Sequence, residues 1–323
     1  MKNEMIPVIE TIELKKHFKV SKGILHAVDG INMKIFPGKT MGVVGESGCG
    51  KSTLGRTILR LIEPTSGDVL YKGNSITQHN AREMRKMRRN VQIIFQDPYS
   101  SLDPKMTVSE LISEYIVINK TYSTRQGMRA ATAKLMDTVG LAARLADAYP
   151  HELDGGRRQR IGVARALSLN PSFIVCDEPV SALDVSIQAQ ILNLLMDLQK
   201  EFGLTYMFVT HDLSVVKHIS NQIMVMYLGQ MVELADSDEL FRNPKHPYTR
   251  ALLSAIPVPD ISMRGKKIET IRGELSSPIN PKPGCRFALR CPYASEACTE
   301  KDIALKDMGG GHMCACVLAQ GDQ

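Results

Sequence analysis

Short apolar stretches alternate with polar segments along most of the chain, and this pattern predicts an α/β fold. Residues 8–14 and 24–36 alternate apolar and polar positions, as two paired strands do when one face of their sheet is buried. Four other short stretches are mostly apolar, which is typical of strands buried on both faces. They lie at residues 40–44, 91–95, 173–178 and 205–210.

Helical periodicity fills the longer segments between these strands. Apolar residues from Ile187 to Leu198 form one stripe of a helix that Gly203 should end. Residues 107–149 look helical throughout and predict a helical insert at about residues 97–150.

The end of the chain has a different character. Two strands are predicted at residues 222–227 and 230–234, joined by a two-residue hairpin turn. Residues 257–283 are rich in Pro and Gly and predict an irregular linker. We therefore expect a main domain at residues 1–256 and an extension at residues 257–323.

The nine residues from Gly45 to Thr53 fit the pattern of a phosphate-binding loop. The loop follows a predicted strand and precedes a predicted helix over residues 53–62, so the helix N-terminus points at the phosphates. Its glycines let backbone N–H groups approach an anion closely. We expect Lys51 to contact the β- and γ-phosphates and Ser52 to offer its hydroxyl to Mg²⁺. The predicted ATP contacts in the loop are Gly45, Glu46, Ser47, Gly48, Cys49, Gly50, Lys51, Ser52 and Thr53.

Polar side chains follow three of the buried strands. Asp177 and Glu178 end one of them, and an uncompensated acidic pair there is costly unless a cation is present. We expect Asp177 to hold Mg²⁺ through water, and Glu178 to polarise the water that attacks the γ-phosphate. Gln96 can ligate Mg²⁺ or orient water, and His211 is placed for ligand contact at a strand end.

Composition narrows the class of protein. Among 323 residues, 43% are hydrophobic and 23% are charged, as in an ordinary globular protein. No apolar run approaches the roughly 18–20 residues that span a bilayer, and residues 1–13 contain no secretory-signal segment. We therefore expect a cytoplasmic protein. The net charge of +6 does not by itself indicate a nucleic-acid partner.

The seven cysteines are distributed unevenly. Five of them crowd the last forty or so residues, at Cys285, Cys291, Cys298, Cys314 and Cys316. In a reducing compartment this favours a metal over disulfides. The tight Cys-x₂-Cys pairs of zinc ribbons are absent, and four thiolates can equally hold a [4Fe–4S] cluster.

In order and spacing, the motifs resemble the ATP-binding subunits of ABC transporters over roughly residues 8–236. Six segments carry the resemblance: Gly45–Thr53, Gln96, Leu153–Arg157, Asp177-Glu178, Ser181–Asp184 and His211. The resemblance implies a P-loop NTPase (RecA-like) core with an antiparallel β subdomain and a helical subdomain, followed here by a small irregular Cys-rich C-terminal region. It also implies two subunits that meet head to tail around ATP.

The same resemblance implies roles for single residues. Gln96 would sense the γ-phosphate and Mg²⁺, Glu178 would be the catalytic base, and His211 the γ-phosphate switch. Phe18, just before the first predicted turn, would stack on adenine. The implied Mg²⁺ ligands are Ser52, Gln96 and Asp177; the signature residues, which complete the partner's ATP site, are Leu153, Asp154, Gly155, Gly156 and Arg157; and the D-loop residues are Ser181, Ala182, Leu183 and Asp184.

A narrower resemblance, to the ATPases of oligopeptide, dipeptide and nickel permeases, is carried by residues 96–104, 246–253 and 284–287. It implies one half of an ATPase pair, a heterodimer with a second homologous subunit. Two transmembrane permease subunits and an extracytoplasmic binding protein would complete the importer, with this chain peripheral on the cytoplasmic face of the membrane. It further implies a [4Fe–4S] cluster, with zinc as the alternative, held by Cys285, Cys291, Cys298 and Cys316.

One departure from the family pattern lies in the signature, which usually reads Ser-Gly-Gly-Gln. Here it reads Asp154-Gly155-Gly156-Arg157, and an ionised Asp cannot donate a hydrogen bond to phosphate. Asp caps a helix about as well as Ser, however, and Arg157 lies three residues on, within reach of the carboxylate. Our hypothesis is a compensated pair that keeps the signature active.

Three functions remain open from the sequence. The first is a transport ATPase, for peptides or for another solute such as nickel. The second is an ABC-type ATPase that acts on nucleic acid or ribosomes, although such chains usually carry two nucleotide domains or a long coiled-coil insert. The third is a regulatory subunit without hydrolysis, which the presence of Glu178 and His211 argues against.

Overall fold

The computed structural model describes residues 5–256 and 277–321, without the side chains of Pro98 and Ser100. The predicted linker at 257–283 therefore lies outside the described residues as far as residue 276. The chain forms two compact units that alternate along the sequence. The first comprises Met1–Val8, Phe36–Lys39 and Gln78–Met207, and the second comprises Ile9–Ile35, Thr40–Thr77 and Phe208–Gln323.

Twelve strands and twelve helices are formed by the described residues. The strands are β1 Ile9–Val20, β2 Gly23–Ile35, β3 Thr40–Val44, β4 Ser66–Tyr71, β5 Asn74–Ser75, β6 Val91–Ile94, β7 Phe173–Asp177, β8 Thr205–Val209, β9 Gln222–Tyr227, β10 Gln230–Asp236, β11 Lys306–Asp307 and β12 Met313–Cys314. The helices are α1 Lys51–Ile58, α2 Ala81–Met87, α3 Pro98–Ser101, α4 Val108–Ile118, α5 Arg125–Thr138, α6 Gly155–Leu167, α7 Val185–Phe202, α8 Leu213–Ile219, α9 Ser237–Arg242, α10 Pro247–Ser254, α11 Ala297–Glu300 and α12 Val317–Gln320. None of these helices is long and apolar enough to cross a bilayer.

The first unit is built on the parallel pair β6 and β7, with Val91 opposite Phe173 and Ile94 opposite Cys176. Every residue of β7 is buried, in keeping with its apolar sequence up to Asp177. Helices α4 and α5 pack against α6 in this unit.

The prediction that residues 107–149 are helical throughout is wrong. They form α4 and α5, separated by residues 119–124, and then a short 3₁₀ turn at Ala143–Leu145. Lys120 adopts a left-handed backbone (φ 50°), which a continuing helix cannot accommodate. Thr124 then caps the next helix by accepting a hydrogen bond from the Gly127 N–H.

The second unit contains an antiparallel sheet in the order β2-β1-β4-β5. Its first hairpin turns at Ser21-Lys22, and Val20 lies opposite Gly23, as the alternating pattern predicts. The unit also contains β3 paired in parallel with β9, followed by the antiparallel pairs β9–β10, β10–β12 and β12–β11. Residues near the C-terminus thus extend the strand ladder of this unit.

Helix α1 begins and ends earlier than the sequence predicts. It starts at Lys51 and ends at Ile58, whereas the apolar spacing continues to residue 62. The helix stops because Arg60 adopts a left-handed backbone (φ 51°).

Candidate functional site

The phosphate-binding loop occupies residues 45–50, between the fully buried strand β3 and the first turn of α1. Its conformation requires glycine at two positions. A Cβ on Gly45 would overlap the carbonyl oxygen of Met226, and a Cβ on Gly50 would overlap that of Ala27. Both glycines also have positive φ, 152° and 106°. The glycines of the motif are therefore fixed by close backbone contacts with β2 and β9.

Lys51 lies over this loop. Its side chain is buried, and Nζ donates hydrogen bonds to the carbonyl oxygens of Gly45 (2.8 Å) and Glu46 (3.0 Å). The ammonium group is thus held by the loop itself, at the position from which the motif predicts a phosphate contact. Burial raises the pKa of the neighbouring Cys49 thiol, so this cysteine stays protonated.

The acidic strand end lies in the first unit. Asp177 and Glu178 are buried, and the Gln96 side chain donates a hydrogen bond from Nε2 to Oε2 of Glu178 (3.1 Å). Gln96 follows β6 and Glu178 follows β7, and parallel neighbours end at the same edge of a sheet. Glu178 also has a left-handed backbone (φ 47°), a strained conformation that clusters at functional sites.

The signature segment forms the N-terminus of α6. Asp154 is the N-cap: its Oδ1 accepts a hydrogen bond from the Arg157 N–H (2.8 Å), and its Oδ2 lies 3.4 Å from Arg157 Nε. Both side chains are about half exposed. Leu153 is buried, and a Cβ on Gly156 would come within 2.7 Å of Ile187. The structure therefore contains both the cap and the ion pair that our hypothesis of compensation needs.

The D-loop turn, residues 181–184, is held by its own unit. The Ser181 hydroxyl donates to the Glu178 carbonyl (3.1 Å). The amide of Gln188 donates to the carbonyls of Val180 and Leu183, both at 3.0 Å. Sequence reasoning missed Gln188, and its one available signal was a polar residue in the first turn of the helix after the loop.

Two further predicted residues lie in the second unit with the phosphate loop. His211 is exposed and directly precedes Asp212, which caps α8 by accepting from the Ser214 N–H (2.8 Å). Phe18 lies in β1 opposite Leu25, and the Lys16 ammonium lies 4.8 Å from its ring centroid. Residues Gln96, Asp177, Glu178, the signature and the D-loop belong to the first unit.

Four of the C-terminal cysteines surround one cavity of about 520 Å³ in the second unit. They are Cys285, Cys291, Cys298 and Cys316, whereas Cys314 is buried in β12. Burial, with smaller contributions from the neighbouring cysteines, raises the pKa of Cys285 to about 11. Among the described residues, no three of these sulfurs lie within 4.8 Å of one another.

Strands β1 and β2 of the second unit carry a polar cluster that the sequence did not predict. Asp29 pairs with His17 Nε2 (3.1 Å) and His26 Nδ1 (2.9 Å), and also with Arg286. The two imidazole rings stack with their centroids 3.8 Å apart. Burial alone would raise the pKa of Asp29, but the bond from His26, the Arg286 charge and the bond from His17 lower it to about 2.

Comparison with known proteins assigns the family. A family model described as "ABC transporter" matches residues 28–181, and one described as "Oligopeptide/dipeptide transporter, C-terminal region" matches residues 232–298. The putative oligopeptide transport ATP-binding protein YkfD of Bacillus subtilis (strain 168) is 51% identical over 97% of this chain and 96% of its own length. The oligopeptide transport ATP-binding protein OppF of Salmonella typhimurium is 50% identical over 91% of each chain.

A solved structure confirms the predicted α/β fold class for the nucleotide-binding part of the chain. The ATP-binding cassette MJ0796, described as a dimer in a post-hydrolysis state bound to ADP and Pi, superposes with a TM-score of 0.64 at 29% identity. The match covers 71% of this chain and 98% of that one. With two family models and relatives at about 50% identity in agreement, the chain belongs to the ATP-binding subunits of ABC transporters, in the oligopeptide/dipeptide group.

Proposed function

We propose that this ATPase energises an importer of oligopeptides or dipeptides. The relatives named above are oligopeptide transport ATP-binding proteins over nearly their whole length, and the C-terminal family model carries the same description. The observation that carries the ATPase chemistry is the hydrogen bond between Gln96 and Glu178. It joins an amide and a carboxylate at one sheet edge, where a γ-phosphate and its attacking water can be oriented together.

The predicted site residues have separate tasks in the proposed chemistry. In the second unit, the loop N–H groups and Lys51 bind the phosphates, Phe18 stacks on adenine, and His211 contacts the γ-phosphate. In the first unit, Glu178 takes up the proton of the attacking water, and Gln96 orients that water. The substrate leaves as ADP and phosphate.

The oxygen donors of the chain fit Mg²⁺, the hard cation that accompanies ATP. They are the Ser52 hydroxyl, the Gln96 amide oxygen and the Asp177 carboxylate, all ligand types that Mg²⁺ prefers. When bound, the ion supplies positive charge to the β- and γ-phosphate oxygens. Asp177 is only 1% exposed, so a nearby cation offsets the cost of its burial.

We also propose the partners that such a subunit needs. A second homologous ATPase subunit would provide the facing signature, and two membrane permeases and an extracytoplasmic binding protein would complete the importer. The chain would then lie on the cytoplasmic face of the membrane. The signature of this chain completes the partner's ATP site, and its Asp154–Arg157 pair supports the hypothesis of a compensated, active signature.

A [4Fe–4S] cluster is our proposal for the cysteine cavity. Four thiols from one cavity match the ligand set of such a cluster. Zinc would draw its sulfurs to roughly 3.8 Å from one another, given Zn–S bonds of about 2.3 Å in a tetrahedron. Among the described residues, no three of the four sulfurs lie mutually within 4.8 Å, so they do not form a tetrahedral set of that size. The cluster would act as a structural clip, and visible absorbance with iron and sulfide analysis of anaerobically purified protein tests it.

The extent of the two domains remains a prediction. We propose a nucleotide-binding domain at residues 1–256, with the helical insert at about 97–150, and a C-terminal extension at 257–323. Limited proteolysis should cut near the boundary first, and cleavage elsewhere would contradict it.

The decisive experiment reconstitutes the chain with its partner subunits in proteoliposomes. Peptide-loaded binding protein should stimulate ATP hydrolysis, and Glu178→Gln should abolish it while ATP still binds. Nickel in place of peptide serves as the matched solute control. Stimulation by nickel alone would exclude the peptide assignment, and full hydrolysis by Glu178→Gln would exclude the assigned base.

A further inference from the structure

The segment that carries the cavity cysteines reaches back to the phosphate-binding loop. Arg290, which immediately precedes Cys291, forms a bidentate ion pair with Glu46 of that loop: Nη1 to Oε2 at 2.7 Å and Nη2 to Oε1 at 3.1 Å. Arg290 Nη1 also donates to the Tyr227 hydroxyl (3.2 Å). The Arg290 side chain is 8% exposed and that of Glu46 is 26% exposed, so the pair is partly shielded from water.

The backbone of Glu46 is held from the same side. Its N–H donates to the hydroxyl of Tyr248 (2.9 Å), a fully buried residue. The Tyr248 ring packs edge-on to Tyr227, and Phe287 of the cysteine segment packs against both rings. Both the side chain and the backbone of one loop residue are therefore fixed by residues far along the sequence.

Glu46 in turn touches the residue that the motif assigns to phosphate. Lys51 donates to the Glu46 carbonyl, so the position of this peptide sets that of the ammonium. Glu46 also brings a negative charge to a loop that must receive a triphosphate. Arg290 neutralises that charge with a bidentate contact that is partly shielded from water.

We propose that Arg290 is a positioning residue of the nucleotide site, which fixes Glu46 and cancels its charge so that the loop accepts ATP. The cysteine segment and the phosphate loop are then energetically linked. An occupant of the cysteine cavity that orders this segment raises nucleotide affinity, and bound nucleotide raises retention of the occupant by the same factor. This second statement rests on the cluster proposed above, whereas the first does not.

A set of variants of the full chain tests the positioning role by titration with a fluorescent ATP analogue. Arg290→Gln leaves the Glu46 carboxylate unpaired, and we expect ATP affinity to fall about tenfold, the scale of one charge-assisted contact. Arg290→Lys should recover part of that loss. The double variant Glu46→Gln/Arg290→Gln lacks the negative charge of Glu46, and its ATP affinity should return to within about threefold of that of the unmodified protein.

Arg286 provides the matched control. It lies in the same segment, its side chain is 6% exposed, and it pairs with Asp29 and the Leu228 carbonyl instead of the loop. Arg286→Gln should lower thermal stability with little change in ATP affinity. Equal affinity losses in Arg286→Gln and Arg290→Gln, or no rescue in the double variant, would overturn the positioning role.

The energetic linkage between the cysteine cavity and the nucleotide site is measured separately. Protein loaded with iron and sulfide should bind the ATP analogue more tightly than metal-free protein, and Arg290→Gln should remove that difference. Release of iron to a chelator should also slow when ATP is added. If loaded protein shows no such effects, the linkage is wrong. If the protein takes up no iron and sulfide, the cluster proposal is wrong, and the variant titrations on metal-free protein still decide the role of Arg290.

Discussion

The phosphate loop and the signature segment are both short glycine-containing turns at the start of a helix, yet they are held in different ways. The phosphate loop has no side-chain cap at Gly50 and is fixed by carbonyls of β2 and β9 and by Arg290. The signature is fixed by its own Asp154 cap and ion pair, with half-exposed side chains. The loop is thus shaped by the rest of its unit, whereas the signature carries its own cap and ion pair on half-exposed side chains.

The two segments therefore tolerate different kinds of substitution. A turn held by distant groups loses its shape when any of them changes, but it presents a preformed site to its ligand. A turn held locally keeps its shape alone, and its exposed face can be adjusted without disturbing the fold. This contrast is tested first in the second unit, at Gly50 and at Asp29, and then in the first unit, at Gln188 and at Asp154.

Gly50→Ala should have the largest effect. The added Cβ meets the Ala27 carbonyl at a positive φ, and we expect a loss of about 3 kcal/mol in unfolding free energy together with loss of ATP binding. Gly38→Ala is the control, since Gly38 has φ 68° but open space around it, and it should cost about 1 kcal/mol. Denaturant unfolding and ATP titration measure both, and equal losses would contradict the close-contact argument.

Asp29→Asn should have the second largest effect on stability, and that effect should depend on pH. The pKa of Asp29 is lowered from 3.8 to about 2, so its ionised form stabilises the fold above pH 4, and that contribution is lost as pH falls toward 2. The side chain is 14% exposed, and we expect at most about 2 kcal/mol at neutral pH. Unfolding free energies measured from pH 7 to pH 2 should converge for the two proteins. A constant difference at all pH values would exclude the ionised carboxylate as the cause.

Gln188→Ala should have a smaller effect, because it removes two hydrogen bonds to the carbonyls that flank the D-loop turn. We expect about 1.5 kcal/mol less stability and a slower ATPase in the assembled pair. Gln190→Ala is the matched control on the same helix, where the side chain makes one long contact with Arg160 (3.5 Å). Similar losses in both variants would mean that the two bonds contribute nothing specific.

Asp154 should show the smallest change in stability. Asp154→Ala removes a local cap and should cost about 1 kcal/mol, whereas Asp154→Ser keeps the cap and should cost almost nothing. Only the ATPase rate of the assembled pair distinguishes the charge from the cap. Asp154→Ser should lower that rate because it breaks the pair with Arg157, and an unchanged or higher rate would argue against compensation.

The sequence predicts features that local chemistry encodes. The alternation of apolar and polar residues predicted the β1–β2 hairpin, and the spacing of glycines predicted the phosphate loop. An apolar run ending in Asp177 predicted the strand β7. The gap between α4 and α5 was missed because apolar spacing continues on both sides of it. Thr124 was the available signal, a capping residue whose role appears only once the preceding turn is known.

Contacts between residues far apart in the chain could not be predicted from the sequence. Arg290 and Glu46 lie 244 positions apart, and the sequence around either residue does not indicate a contact with the other. The same holds for the Met226 carbonyl against Gly45 and for the Tyr248 hydroxyl on the Glu46 N–H. A motif predicts which residues a loop contains, but the surroundings that give the loop its shape follow only from the folded unit.

Cys49 gives the nucleotide loop a chemical property of its own. Its thiol is 1% exposed and its pKa is raised, so the reactive thiolate is scarce at neutral pH. Peroxide and alkylating reagents attack the thiolate, and access to this sulfur is closed as well. We therefore expect the ATP affinity of the loop to be unchanged after exposure to air or mild peroxide, as titration with an ATP analogue before and after treatment would measure.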